Sequence, residues 1–137
     1  MDANMQYTNL QSTNLQGANL KGVNLSGTNA NGANFQGTNL MSATLTGATA
    51  TGANFQGSNL MGDSLQGGDF ANATFQGANM MSTNLSYGDF VGVNFQGANL
   101  MNSNMSYGNF DSANFTGANT NGVNITGATF VGATNPP

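Results

Sequence analysis

Few side chains in this chain could do chemistry. Of its 137 residues five are Asp, none is Glu, His or Cys, and Lys21 is the single basic residue. That composition removes disulfides, thiolate nucleophiles and the usual zinc ligands, and nothing reports on redox compartment. What remains is carboxylate chemistry. Asp69 and Asp89 are 20 residues apart, between Thr49 and Asn109 at the same interval. If residues 20 apart are neighbours, these two carboxylates lie about one strand spacing from each other and are weak candidates to hold a hard cation through oxygen ligands. The bland alternative is mild repulsion in solvent. Asp63 has Thr83 and Ser103 as its 20-residue neighbours. If it is buried it needs partners, and those hydroxyls could serve. No second acid or base converges on Asp63 to make an acid–base pair. The expectation is therefore no catalytic residue, no cofactor and no enzyme.

The elements that would position these residues follow from periodicity. From Met1 the chain divides into fives without insertion or deletion, 27 × 5 = 135, followed by Pro136 and Pro137. Nearly every fifth residue is Leu, Phe or Met. Asn usually precedes it, a small residue sits two before it, and Gly is commonest two after it. A fixed short period is the signature of a stacked-repeat solenoid. A second period of 20 runs over the first: Phe35, Phe55, Phe75, Phe95 and Phe115, then Gln16 to Gln96, then Met41 to Met101. Twenty is four fives, so a four-sided coil places like residues over one another, as in other stacked-strand systems.

Blocks such as Gly17-Ala18-Asn19-Leu20, Gly32-Ala33-Asn34-Phe35 and Gly97-Ala98-Asn99-Leu100 resemble the A(D/N)LxG consensus of the pentapeptide repeat family. The resemblance covers residues 1–135. It implies an all-β fold, a right-handed quadrilateral parallel β-helix in which the central Leu or Phe and the small residue two before it point inward. At 137/20 the chain makes just under seven coils, a rod of roughly 33 Å, expected to be one domain over 1–137 with no capping helix.

The inward columns can be written out. Leu25, Leu45, Leu65 and Leu85 fall in one; Phe70, Phe90, Phe110 and Phe130 follow Leu10, Ala30 and Ala50 in a second; Leu15, the five Phe and Asn135 make a third; Leu20, Leu40, Leu60, Met80 and Leu100 make a fourth. The expected core is therefore Leu25, Phe35, Leu45, Phe55, Leu65, Phe75, Leu85, Phe95, Phe110 and Phe115. Close packing predicts volume compensation: where the second column carries Phe70, Phe90 and Phe110, the residue two before is Gly68, Gly88 and Gly108, although Phe130 follows Ala128.

Outside, the Asn ladders suit side-chain hydrogen bonds to backbone at tight corners. Met41, Met61, Met81 and Met101 form a row ending in Lys21 and Asn121, and Tyr87 and Tyr107 stack on another face. An ordered row of flexible apolar side chains suits a lateral protein contact. No apolar run is long enough to span a membrane and no signal peptide is visible, so membrane insertion is not expected. A net charge of −4 is too sparse to name a partner. Localisation stays open between an extracellular filament and the cytoplasm.

A solenoid without polar caps exposes strand edges and core at its ends. Seven full coils need 140 residues, three more than this chain has. A second copy starting after a three-residue gap would continue every column: Ile125 meets Met5, Phe130 meets Leu10, Asn135 meets Leu15, and Asn121 meets Met1, with Leu20 completing the first coil. The expectation is a non-enzymatic structural protein whose partner is itself, stacking head-to-tail into a filament. Two alternatives remain. The family resemblance also implies a protein-binding module such as a DNA-mimic topoisomerase inhibitor, against which five Asp are few to imitate regularly spaced phosphates; no nucleic acid partner is expected. A flat ice- or surface-binding array has only Thr44, Thr46, Thr49 and Thr51 in its favour.

Overall fold

The computed structural model describes residues 3–137. Met1, assigned above to the axial contact, lies outside the described residues. Parallel bridges join each position to the one 20 further on, from Asn4↔Asn24 and Asn9↔Asn29 through to Asn109↔Thr129 and Asn114↔Thr134. The coil is therefore 20 residues and four sides. Each side contributes one bridged residue rather than an extended strand, because a corner intervenes every five residues. We number the faces by their bridged residues: face 1 carries Asn4 and its 20-residue equivalents, face 2 Asn9, face 3 Asn14 and face 4 Asn19.

Each corner is a β-turn closed by the central residue's carbonyl, which accepts from the N–H three residues on, as in Thr13 to Leu10 at 3.0 Å and Ala98 to Phe95 at 2.9 Å. The third turn residue has positive φ at every corner from Tyr7 to Gly132. That sign is the mark of a type II turn and explains the preference for glycine there, as at Gly37 with φ +64°. Tyr, Ser and Asn fill the position elsewhere, at φ of 55° to 62° from Tyr7 to Ser112.

The identity of the bridged residue follows from an account of the N–H groups. In each pentapeptide the central residue donates forward to the next coil, as Leu45 does to Ser64 at 2.7 Å, and so does the third turn residue, as Gly47 does to Gln66 at 2.9 Å. The bridged residue donates backward, as Thr49 does to Thr28 at 3.0 Å, and the fourth N–H closes the turn. The fifth, just after the central residue, has no backbone partner. It donates instead to the bridged side chain two residues before it: Gln56 N–H to Asn54 Oδ1 at 3.0 Å, Val91 N–H to Asp89 Oδ1 at 3.1 Å. A short acceptor arm is needed at every coil, and Asn provides it.

Two sites reach the same end differently. Thr49 and Thr129 occupy bridged positions, and the N–H groups they would cap, at Thr51 and Val131, donate to Asn31 Oδ1 (2.9 Å) and Asp111 Oδ1 (2.8 Å) from the preceding coil.

Inside, two phenylalanine ladders run along the axis. Phe35, Phe55, Phe75, Phe95 and Phe115 stack with centroids 4.7 to 5.5 Å apart, and Phe70, Phe90, Phe110 and Phe130 stack at 5.0 to 5.5 Å. The ladders meet at tilts of 43° to 60° with centroids near 6 Å, the offset that aromatic quadrupoles favour. Leu25, Leu45, Leu65 and Leu85 line another column, and none of the ten expected core residues exceeds 2% exposure. Gly68, Gly88 and Gly108 have no positive φ; a Cβ at each would stand 2.5 to 2.6 Å from Cε2 of Phe70, Phe90 or Phe110. They are glycines for space. Phe130 tolerates Ala128 because both lie half-buried in the last coil, where less surrounds the ring. Asn135 departs from the expected inward column: it is exposed with φ +49°, since an amide gains nothing over the apolar Phe115 ring and Asn accepts the left-handed conformation.

Two expected outcomes test this account. Gly88→Ala overpacks the ladder and lowers unfolding free energy by about 1–3 kcal/mol, measured by urea denaturation. Asn31→Ala strands the Thr51 N–H and costs about 1 kcal/mol; in a Thr49→Asn background the loss shrinks toward zero, because the introduced amide takes over that cap, and a double-mutant cycle reads the coupling.

Candidate functional site

Asp63 is the one ionisable side chain buried in the described core, at 2% exposure. It sits at an inward small-residue position of face 1. Oδ1 accepts the N–H of Ala43 from the preceding coil at 2.9 Å, and Oδ2 has no partner. The expected hydroxyl partners do not serve. Thr83 Oγ1 donates to Leu60 O at 2.9 Å, and Ser103 Oγ is itself unpartnered. Inward side chains of one column point the same way, a coil spacing of about 4.8 Å apart, so Thr83 and Asp63 Oδ1 pair with backbone instead of with each other. Burial pushes the Asp63 carboxyl up to about 8, opposed by the backbone N–H groups of Ala43 and Ser42. At neutral pH it is therefore mostly the neutral acid.

Asp69 and Asp89 are bridged neighbours on face 2. Each uses Oδ1 as Asn does elsewhere, accepting from Ala71 N–H and Val91 N–H at 3.1 Å. Among the described residues no three Asp, Glu, His or Cys side chains gather as a metal site would need. The arrangement gives each of the pair a turn-capping role.

The outer columns differ in character. Met41, Met61, Met81 and Met101 occupy one corner but are half-buried. Beside them the amides of face 4 run as a ladder, with Nδ2 of Asn39, Asn79, Asn99 and Asn119 donating to the Asn 20 residues earlier at 3.2 to 3.4 Å. The Oδ1 atoms of Asn39, Asn59, Asn79 and Asn99 cap the methionine N–H groups at 3.3 to 3.4 Å. Tyr87 and Tyr107 project from the corner before face 2, at 61% and 55% exposure, with rings stacked 5.1 Å apart. Sequence reasoning passed over two further exposed groups, Tyr7 and Val131. It also missed the cross-coil caps Asn31 and Asp111, whose signal is a Thr at the bridged position 18 residues later.

At the two ends the inward columns lose cover. Met5, Leu15 and Leu20 are half-buried, Leu10 is 9% exposed, Phe130 is half-buried, Asn121 is exposed, and Ile125 is 40% exposed where Leu45, Leu65 and Leu85 are at most 1%.

Asp63 generates a pH dependence. Its folded value lies above the unfolded one of 3.8, so the folded state holds the proton more tightly. Its contribution to stability is complete below pH about 4 and is lost as pH rises toward 8. At about 1.4 kcal/mol per pH unit the decline approaches several kcal/mol. Asp63→Ser removes that slope: denaturation midpoints of the variant and the parent converge near pH 4, and the variant is the more stable at pH 8.

The family model for pentapeptide repeats matches overlapping segments 3–41, 18–57, 38–77, 58–97, 78–117 and 94–132. No curated protein sequence matches the chain. Among solved structures it is similar to a pentapeptide repeat protein of the Arabidopsis thaliana thylakoid lumen, with 29% identity and TM-score 0.67 over 68% of this chain and 65% of that one. Another is the pentapeptide repeat protein Rfr23 of the cyanobacterium Cyanothece 51142, with 20% identity and TM-score 0.68 over 93% and 88%. A third is QnrB1, a plasmid-mediated fluoroquinolone resistance protein, with 19% identity and TM-score 0.55 over 96% and 69%. The last two likenesses concern the fold alone. With its 20-residue coils, turn-capping Asn and Leu/Phe interior, the chain belongs to the pentapeptide repeat family, whose members form right-handed quadrilateral β-helices.

Proposed function

We propose that this chain is a non-enzymatic structural protein that stacks head-to-tail through its terminal coils. The observation that carries the reading is the complementarity of the two edges that the described residues present. In the last coil the N–H groups of Ile125, Gly127, Phe130 and Gly132 have no backbone partner, although their equivalents one coil earlier all donate forward, as Met105 does to Asn124 at 2.8 Å and Phe110 to Thr129 at 2.9 Å. The first coil offers what those donors need: in each later coil the carbonyls of bridged residues, such as Asn24 and Asn29, accept from the coil before. The backward set is complementary too, pairing bridged N–H groups with carbonyls such as Val123 and Ala128.

Register supports the same reading. With a three-residue gap Ile125 N–H faces Asn4 O of the next copy and Phe130 N–H faces Asn9 O, while the Ile125 side chain covers Met5 and Phe130 covers Leu10. Such strand addition joins main-chain pairing to continuation of the core. Because the contact is heterologous and its operation nearly a translation, it builds an open filament. The methionine corner and the face 4 amide ladder then lie along the side, where lateral contacts would form. A second reading, a protein-binding rod, is favoured by the aromatic and acidic side chains gathered on face 2.

Electron microscopy and sedimentation test the assembly. The expected outcome is rods with a roughly 34 Å axial repeat, and disassembly by Ile125→Lys, which places a charge in the seam without touching the buried core. A monodisperse 13.9 kDa particle at high concentration overturns the proposal.

A further inference from the structure

Two departures from what the backbone requires coincide on one face. At the corner before face 2, glycine fills the positive-φ position at 27, 47, 67 and 127, yet Tyr7 holds it at φ 55° in the first coil and Tyr87 and Tyr107, in consecutive coils, at φ 59° and 57°. A bulky side chain in the left-handed region is strained. The rings are more than half exposed, so burial offsets little of that strain; they gain their mutual stack, 13° from parallel, and the Tyr107 ring covers Gly127 of the next coil. The second departure is charge. Asp69 and Asp89 cap the N–H two residues on at 3.1 Å, the same bond that neutral Asn makes at Asn94 and Asn54 at 3.0 Å. Their negative charge is therefore surplus to the turn.

The surplus groups are adjacent. Tyr87 and Tyr107 immediately precede the sides that carry Asp89 and Asn109, and Asp69 is bridged to Asp89 one coil before. Asp111 follows at the far corner of the same face, half-buried and held by Val131 N–H. Lys21, the only basic residue, stands on the corner between faces 4 and 1 and does not border face 2. The inward residues beneath are Gly68, Gly88 and Gly108, each filled by its phenylalanine ring, so the face has no cavity to take a small molecule. It is a shallow acidic surface edged by aromatic rings.

We propose that Tyr87, Tyr107, Asp69 and Asp89 form a docking surface for a cationic polypeptide segment of another protein. Charge complementarity selects the occupant. Lys or Arg side chains over the tyrosine rings gain cation–π attraction, Arg most because its planar guanidinium also stacks, while the carboxylates accept their N–H groups. A second copy of this chain offers a single cation and cannot supply such a segment. The surface lies along the side of the rod and is independent of the head-to-tail contact.

Titration calorimetry of the full chain with an oligo-arginine peptide at low salt tests the assignment. The expected result is saturable binding that weakens about fivefold or more in Tyr87→Gly/Tyr107→Gly and in Asp69→Asn/Asp89→Asn. Both double variants keep a cooperative unfolding transition, because glycine is the column's own residue at those corners and Asn retains the cap. Oligo-glutamate does not bind. Absence of oligo-arginine binding, or affinity left unchanged by either double substitution, overturns the proposal; loss on the Asp changes alone identifies mere charge attraction and overturns it equally.

Discussion

The structure depends on satisfying five backbone N–H groups in each five-residue side of a coil. Three donate to neighbouring coils, one closes the corner, and one is left over. The leftover N–H shapes the chemistry of most of the surface, because at most corners a short acceptor stands two residues before it; at Thr51 and Val131 the preceding coil supplies the acceptor instead. That is why the outside is an array of Asn with Asp69, Asp89 and Thr74 as equivalents, and why so little of the exterior is charged. The corner itself demands positive φ at its third residue, which fills the surface with glycine. Between them these two demands leave two of the five positions with little choice.

The interior follows from the same closure. A coil of four short sides encloses a narrow core, so an axial ladder of rings on one column leaves room for a second only where the backbone is stripped of Cβ. Gly68, Gly88 and Gly108 are that clearance. Where the second column carries Ala30 and Ala50, Thr28 and Ala48 keep their side chains, and the buried Thr28 hydroxyl donates to Met5 O at 3.0 Å. Asp63 breaks the economy: Oδ1 accepts a backbone N–H while Oδ2 has no partner.

Much of this was legible in residue spacing because stacking turns sequence interval into spatial contact. Phe35 to Phe115 announce a ladder by their interval of 20, and the Gly68 to Phe70 offset announces its clearance. What was not legible was direction at the atomic scale. Whether the hydroxyl of Thr83 turns to Asp63 or to the carbonyl of Leu60 depends on which lies within about 3 Å, and for this short inward side chain the backbone carbonyl does. Likewise the methionines read as an exposed row, but their corner packs against neighbouring coils and half-buries them. Asn31 and Asp111 read as ordinary surface residues; their cross-coil bonds appear only once the Thr49 and Thr129 positions are seen to need help.

Translational repetition carries the same kind of contact from coil to coil. Phe110 receives Phe130 much as Phe90 receives Phe110, with ring centroids at 5.5 Å against 5.0 Å, while the last described coil differs in its exposure, in Asn135 at the ladder position and in Pro136 and Pro137, which carry no N–H. The fold is satisfied coil by coil, so under the proposed stacking a terminal edge would pair as an interior interface does, opposed by the entropy of bringing a second molecule to it. The side faces obey a different logic. There the backbone is already satisfied, and a contact must come from side chains that exceed what the corners require, as Tyr87, Tyr107, Asp69 and Asp89 do. The proposed axial and lateral contacts thus draw on separate features: the first on the repeat itself, the second on its exceptions.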